Sequence, residues 1–133
     1  MRYVAFVHKE PESIFGVSFP DFPGCISAGA TMDEALAKAS EALQGHVRMM
    51  EADGETVPEP SSVDAILADP QFAEDRDGAI FSAVHLIRDL GSTTRINLSL
   101  DLGLLKAIDA AARDRKQTRS AFLASAARRE LVE

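Results

Sequence analysis

The chain has 133 residues, of which 46% are apolar, and its 14 Lys+Arg against 21 Asp+Glu leave a net charge of -7; this is a globular composition and excludes a disordered chain. No apolar run approaches the roughly 18 residues of a transmembrane helix, and the apolar centre near Met1 is too short for a secretion signal, so a cytoplasmic protein is expected. Cys25 is the single cysteine, which excludes an internal disulfide and a thiolate-rich zinc site; with His8, His46 and His85 scattered, neither a metal nor a cofactor is expected.

Tyr3 to Lys9 alternates loosely and is rich in Val, Phe and Tyr, so it predicts a first strand. Ile14 to Phe19 predicts a second, joined to it by the turn Glu10-Pro11-Glu12-Ser13. Two prolines and a glycine make Pro20-Asp21-Phe22-Pro23-Gly24 a loop, after which Cys25 to Ala28 forms a third short strand. Thr31-Met32-Asp33-Glu34 fits a capping box, with the Thr31 hydroxyl accepting from Glu34 N-H and the Glu34 carboxylate reaching back to Thr31 N-H. The helix that starts there carries Leu36, Ala39, Leu43, Val47 and Met50 as one stripe, and Gly54 supplies a left-handed stop. These elements predict a sheet covered on one face by one long helix. Val57-Pro58-Glu59-Pro60 is then an extended connection, and Ser61 to Leu67 adds a turn or two of helix that Asp69-Pro70 stops. Gln71 to Gly78 is polar and reads as a loop, whereas Ala79 to Ile87 is apolar and β-branched enough for a further strand. Leu90-Gly91-Ser92-Thr93 is the plausible boundary, dividing the chain into domains 1–90 and 91–133.

Beyond it, Ile96, Leu98 and Leu100 alternate with Arg95, Asn97 and Ser99, which gives a strand one apolar and one hydrogen-bonding face. No hairpin partner follows, so the strand is expected to pair with its copy in a second chain. Asp101 can cap a helix to about Arg115 with Leu104, Leu105, Ile108, Ala111 and Ala112 on one face; Thr118 can cap a second, to Leu131, with Phe122, Leu123, Ala126, Ala127 and Leu131 inward. So few large apolar groups cannot build a core alone, and dimerisation is the remedy. Charge divides along the same line. Residues 1 to 91 carry 6 Lys+Arg against 16 Asp+Glu, and residues 92 to 133 carry 8 against 5. A basic module suits phosphate contact, and an acidic one repels nucleic acid and suits a basic protein, with a solvated surface kept for solubility as the alternative.

The strand, the two short helices and the Thr118-Arg119-Ser120 start of the second together resemble the ribbon-helix-helix family of dimeric DNA-binding proteins. The resemblance implies that paired strands enter the major groove, where Arg95, Asn97 and Ser99 face base edges, while Thr118, Arg119 and Ser120 hold a phosphate at the helix start. The family often has Gly between its helices; here Lys116-Gln117 stands there, so a non-Gly residue is expected in the left-handed region.

In the first half, Phe15-Gly16-Val17-Ser18-Phe19-Pro20-Asp21-Phe22-Pro23-Gly24-Cys25, then Ser27, Gly29 and Thr31 before Glu34-Ala35-Leu36, looks like the HicB family of antitoxins. That resemblance implies a degenerate ribonuclease-H-like fold that binds and masks HicA, a small basic toxin that cleaves RNA, with the tail bound to the operon's own promoter. The fold class expected is therefore α+β: this sheet with one long helix, followed by a ribbon-helix-helix dimerisation domain. Pairing of sheet domains would further give a tetramer spanning two operator half-sites.

A nuclease of such a fold needs carboxylates converging on Mg²⁺, one of them in the first strand, and Tyr3-Val4-Ala5-Phe6-Val7 has none. Asp21, Asp33, Glu34 and Glu41 sit in a loop or along a helix start, where capping and solvation account for them. No enzyme is expected. The alternative to an antitoxin is a stand-alone repressor whose first half senses a ligand or supports oligomerisation.

Overall fold

A computed structural model of the chain describes residues 1–88 and 91–132, with Val132 described by its backbone alone. Two compact units divide it, Met1–Asp89 and Leu90–Glu133. Of the expected boundary, Leu90 lies outside the described residues.

The first unit is built on β1 (Arg2–Lys9), whose alternation sends Tyr3, Ala5 and Val7 into the main core and Phe6 to the opposite face, where it is equally buried. Both of its edges are paired antiparallel, by β2 (Phe15–Phe19) on one side and β4 (Ile80–His85) on the other. With β3 (Phe22–Gly29) outside β2, the order is β3-β2-β1-β4. One face of this sheet carries α1 (Met32–Ala52). Thr31 Oγ1 accepts from Glu34 N-H at 3.1 Å, and Glu34 Oε2 accepts at 3.1 Å from the N-H of Ala30, one residue earlier than the box predicts. At the other end Glu55 N-H reaches Met50 O at 2.8 Å and Gly54 N-H reaches Glu51 O at 3.1 Å, with Gly54 at φ 75. That is a Schellman stop, and glycine takes its left-handed position without a Cβ penalty. Ala35, Ala39, Leu43 and Val47 form the buried face of the helix; Leu36 and Met50 pack half-buried at its margin. Gly29 is where sheet and helix touch most closely, since a Cβ there would lie 2.4 Å from Ala35 N.

Two segments read as loops are regular. β3 starts at Phe22, so only Pro20 and Asp21 form the turn: Phe19 pairs with Phe22, Ser18 pairs with Ile26, and Pro23, Gly24 and Cys25 bulge between them. A bulge needs no ladder hydrogen bond at Pro23 and uses the positive φ of Gly24, so the residues that suggested a loop are accommodated within a strand. Gln71 to Gly78 is likewise mostly helical. After α2 (Val63–Ala68), a 3₁₀ turn Pro70–Phe72 leads into α3 (Ala73–Arg76). Its polar residues bond inward: Asp69 Oδ1 accepts from Gln71 N-H at 2.9 Å, and the Arg76 guanidinium donates to Ile66 O at 3.1 Å and Asp69 O at 2.6 Å. Ile66 is buried there, and Phe72 meets Phe6 edge-on at 6.5 Å. The sheet is thus covered over part of its second face as well.

The connection between α1 and α2 is pinned at two points. Tyr3 O-H donates to Pro58 O at 2.6 Å, and the Asp21 carboxylate accepts from Ser61 N-H at 2.9 Å and from its hydroxyl at 2.6 Å. Cys25 is buried in the core, where desolvation pushes its thiol up to about 11, the behaviour of a small hydrophobe rather than a nucleophile.

The second unit is an irregular stretch from Gly91 to Asp101 followed by α4 (Leu102–Asp114) and α5 (Arg119–Val132). Ile108 and Ala112 are its buried apolar residues among those described. Among the described residues no helix is long and apolar enough to cross a membrane.

Candidate nucleic-acid interface

Residues 94–100 make no ladder within the chain, and their alternation leaves both side-chain sets in solvent. Arg95, Asn97 and Ser99 are exposed, and so are Ile96 at 75%, Leu98 at 60%, Leu102 at 65% and Leu104 at 51%. Scattered exposed leucines are ordinary, but Ile96, Leu98 and Leu100 recur at every second residue as an exposed apolar strip, with Leu102 and Leu104 exposed in the first turn of α4 after it, and fully burying such a side chain is worth roughly 1.5–3 kcal/mol. The helices behind the strip do not cover it. Asp101 Oδ2 caps α4 by accepting from Leu104 N-H at 3.2 Å, and Ile108 and Ala112 turn inward with Leu105 and Ala111 half-buried. In α5 only Phe122 and Leu123 of the expected inward set are half-buried; Ala126, Ala127 and Leu131 are exposed, because α4 packs only against the first turns of that helix.

Between the helices Gln117 N-H bonds Ala112 O at 2.8 Å and Lys116 N-H bonds Arg113 O at 3.1 Å, with Lys116 at φ 55. This is the same stop that Gly54 makes, formed here by lysine as the missing glycine implied, at a cost of about 1 kcal/mol.

At the start of α5 Thr118 Oγ1 accepts from Ala121 N-H at 3.1 Å, which leaves the first-turn amides of Arg119 and Ser120 without an intrahelical acceptor. The Arg119 side chain, however, is turned to α4, where Nε and Nη2 donate to the two Asp109 carboxylate oxygens at 2.8 and 2.9 Å. That hydrogen bonding holds the Asp109 carboxyl below its ordinary range and raises Arg119. Nothing in the sequence marks Asp109 as the partner, since the pair spans ten positions and a reversal of the chain. Arg115 lies over the Phe122 ring at 5.3 Å, and Lys106, Arg113, Arg128 and Arg129 are exposed.

In the first unit no group of three His, Cys, Asp or Glu side chains converges among the described residues. Two of the carboxylates weighed above are engaged locally: Asp21 holds Ser61, and Glu34 bonds Lys38 and Ala30, which together lower its carboxyl.

Comparison with known proteins gives a consistent result. The family model for HicB-like antitoxins of bacterial toxin-antitoxin systems matches residues 3–127. The chain is similar to the crystal structure of the Burkholderia pseudomallei antitoxin HicB, at 38% identity over 98% of both chains with a TM-score of 0.56. The N-terminal domain of that antitoxin, solved separately, covers 65% of this chain at 36% identity and TM-score 0.54. A HicA3 and HicB3 toxin-antitoxin complex contains a chain 30% identical, covering 65% of this chain and 99% of its own length with a TM-score of 0.52. An uncharacterized 14.9 kDa protein from the rep-hol intergenic region of Haemophilus phage HP1 is 32% identical over 99% of this chain and 98% of its own.

Proposed function

This chain belongs to the HicB-like antitoxins of bacterial toxin-antitoxin systems, and from that premise we propose that its first half inhibits a HicA-like, RNA-cleaving toxin while its second half, as a dimer, binds operator DNA and represses the operon. The observation that carries the first part is the extent of the match to the HicA3 and HicB3 complex. The chain matched there spans 65% of this one, the same share as the N-terminal domain of the Burkholderia antitoxin. A single sheet unit of this size is therefore the part proposed to meet the toxin, and its excess of 16 Asp+Glu over 6 Lys+Arg in residues 1 to 91 suits a basic partner. It acts by covering the toxin rather than by chemistry of its own, which agrees with Asp21 and Glu34 being engaged in local structure.

For the second part, the support is the strip from Ile96 to Leu100. Pairing residues 94–100 with a second copy would satisfy their backbone groups and cover that strip in one step. The same register would place Arg95, Asn97 and Ser99 of both copies on the outer face, where Arg suits guanine and Asn suits adenine. Thr118, Arg119 and Ser120 would then position the dimer on the backbone, and pairing of dimers through the first units would extend it to two half-sites.

Co-expression tests the division of labour. Residues 1–89 produced together with the small protein encoded beside this gene should relieve its toxicity; growth arrest as severe as with the toxin alone overturns the role given to the first half.

A further inference from the structure

We propose that Asp109 is a positioning residue for DNA binding: by holding the Arg119 guanidinium at both oxygens it fixes the start of α5 against α4, so that the backbone of that start, and not the arginine side chain, meets the phosphate. The inference rests on the operator-binding reading given above.

The geometry commits the arginine. Its Nε and Nη2 are both used, at 2.8 and 2.9 Å, on the two oxygens of one carboxylate, and a fork of this kind specifies direction as well as distance. The other ties between the helices are the half-buried Leu105, Ala111, Phe122 and Leu123 and the Arg115 guanidinium over the Phe122 ring at 5.3 Å, none of which specifies direction as the fork does. Ile108 and Ala112 are the buried apolar residues of this unit among those described, and the turn that joins the helices is closed by a left-handed lysine. The fork itself lies at the surface, with Arg119 56% and Asp109 34% exposed, where an ion pair adds little to stability. Its effect is therefore on orientation. An arginine at a helix start would ordinarily be counted among the cations that neutralise DNA; here its charge is already balanced within the protein, while the amides of Arg119 and Ser120, in the first turn, have no intrahelical acceptor at the positive end of the helix dipole.

This arrangement separates two expectations that a bare arginine would merge. Full-length chain is titrated by gel shift against a duplex carrying the DNA immediately upstream of its gene, at several salt concentrations. Asp109→Asn should weaken binding about tenfold, the order expected when an anion loses a well-placed helix start at each half-site. Asp109→Glu, which keeps the carboxylate, should recover most of that loss. Arg119→Gln should weaken binding to a similar extent, Asp109→Asn combined with Arg119→Gln should be no worse than either alone, and the dependence on salt should keep its slope. If Arg119 instead contacts phosphate, its removal lowers the slope by about 1 per arginine while Asp109→Asn leaves affinity unchanged or raises it, and the proposal is overturned. Melting temperature and oligomeric state are measured in parallel. A positioning role leaves both close to those of the unaltered chain, and a loss of dimer in Asp109→Asn matching its loss of affinity would show a structural role and overturn the proposal. Failure of the unaltered chain to bind the duplex overturns the operator reading itself; binding that survives Asp109→Asn overturns only the role given to Asp109.

Discussion

The two units solve the same problem of burying apolar surface in opposite ways. Met1–Asp89 closes on itself: the sheet packs α1 on one face and the segment from Val63 to Arg76 on part of the other, with Tyr3, Phe6, Phe22, Leu43 and Ile66 all but inaccessible. Leu90–Glu133 has two helices and a chain segment, too little for a second layer, and it leaves Ile96, Leu98 and Leu102 in water. A unit of the first kind can be stable as one chain, whereas one of the second kind, if it dimerises as proposed, would draw stability from a partner and depend on concentration. Under the proposed function, the first behaviour would serve toxin binding and the second operator binding.

The largest effect that would sharpen this contrast is expected in the first unit. Phe6→Ala removes a ring packed on Phe72 and Phe81 and should cost about 3–5 kcal/mol in urea unfolding. Its midpoint should depend less on protein concentration than the unfolding of the second unit does; an equal dependence would break the contrast from that side. Next in size is Leu98→Ala, which should weaken self-association by about 2 kcal/mol for each copy, read by sedimentation equilibrium. An unchanged dissociation constant would remove the strip from the dimer surface. Arg95→Ala should leave self-association intact and cost about 1–3 kcal/mol in operator binding, and a gel shift equal to that of the unaltered chain would take Arg95 off the reading face. The smallest change is a gain. Lys116→Gly relieves the left-handed residue at φ 55 and should stabilise the second unit by about 1 kcal/mol in thermal melts, with Arg95-dependent binding unaltered.

Much of the secondary structure could be read from short stretches, since helix ends are set by residues three or four positions apart. Thr31, Gly54, Asp101 and Thr118 each take the capping or stop position that the sequence assigns them. The missed elements share a different cause. Pro23 and Gly24 look like loop residues until β2 supplies the strand against which they bulge, and Gln71 to Gly78 looks like a polar loop until Phe6 supplies the surface that Phe72 covers. In the second unit, the alternation from Arg95 to Leu100 was plain, whereas the engagement of Arg119 was not.

By itself, then, the sequence determined the alternation, the helix limits, the separation of acidic from basic residues and the shortage of apolar material in the second half, because each depends on neighbours along the chain or on composition. Tertiary structure decided which charges are free. Asp21 is taken by Ser61 across 40 positions and Asp109 by Arg119 across 10, and an isolated letter cannot show whether a carboxylate faces a partner or solvent. Such a bond forms only when the fold brings distant groups within about 3 Å, and it then removes both from the set available for binding.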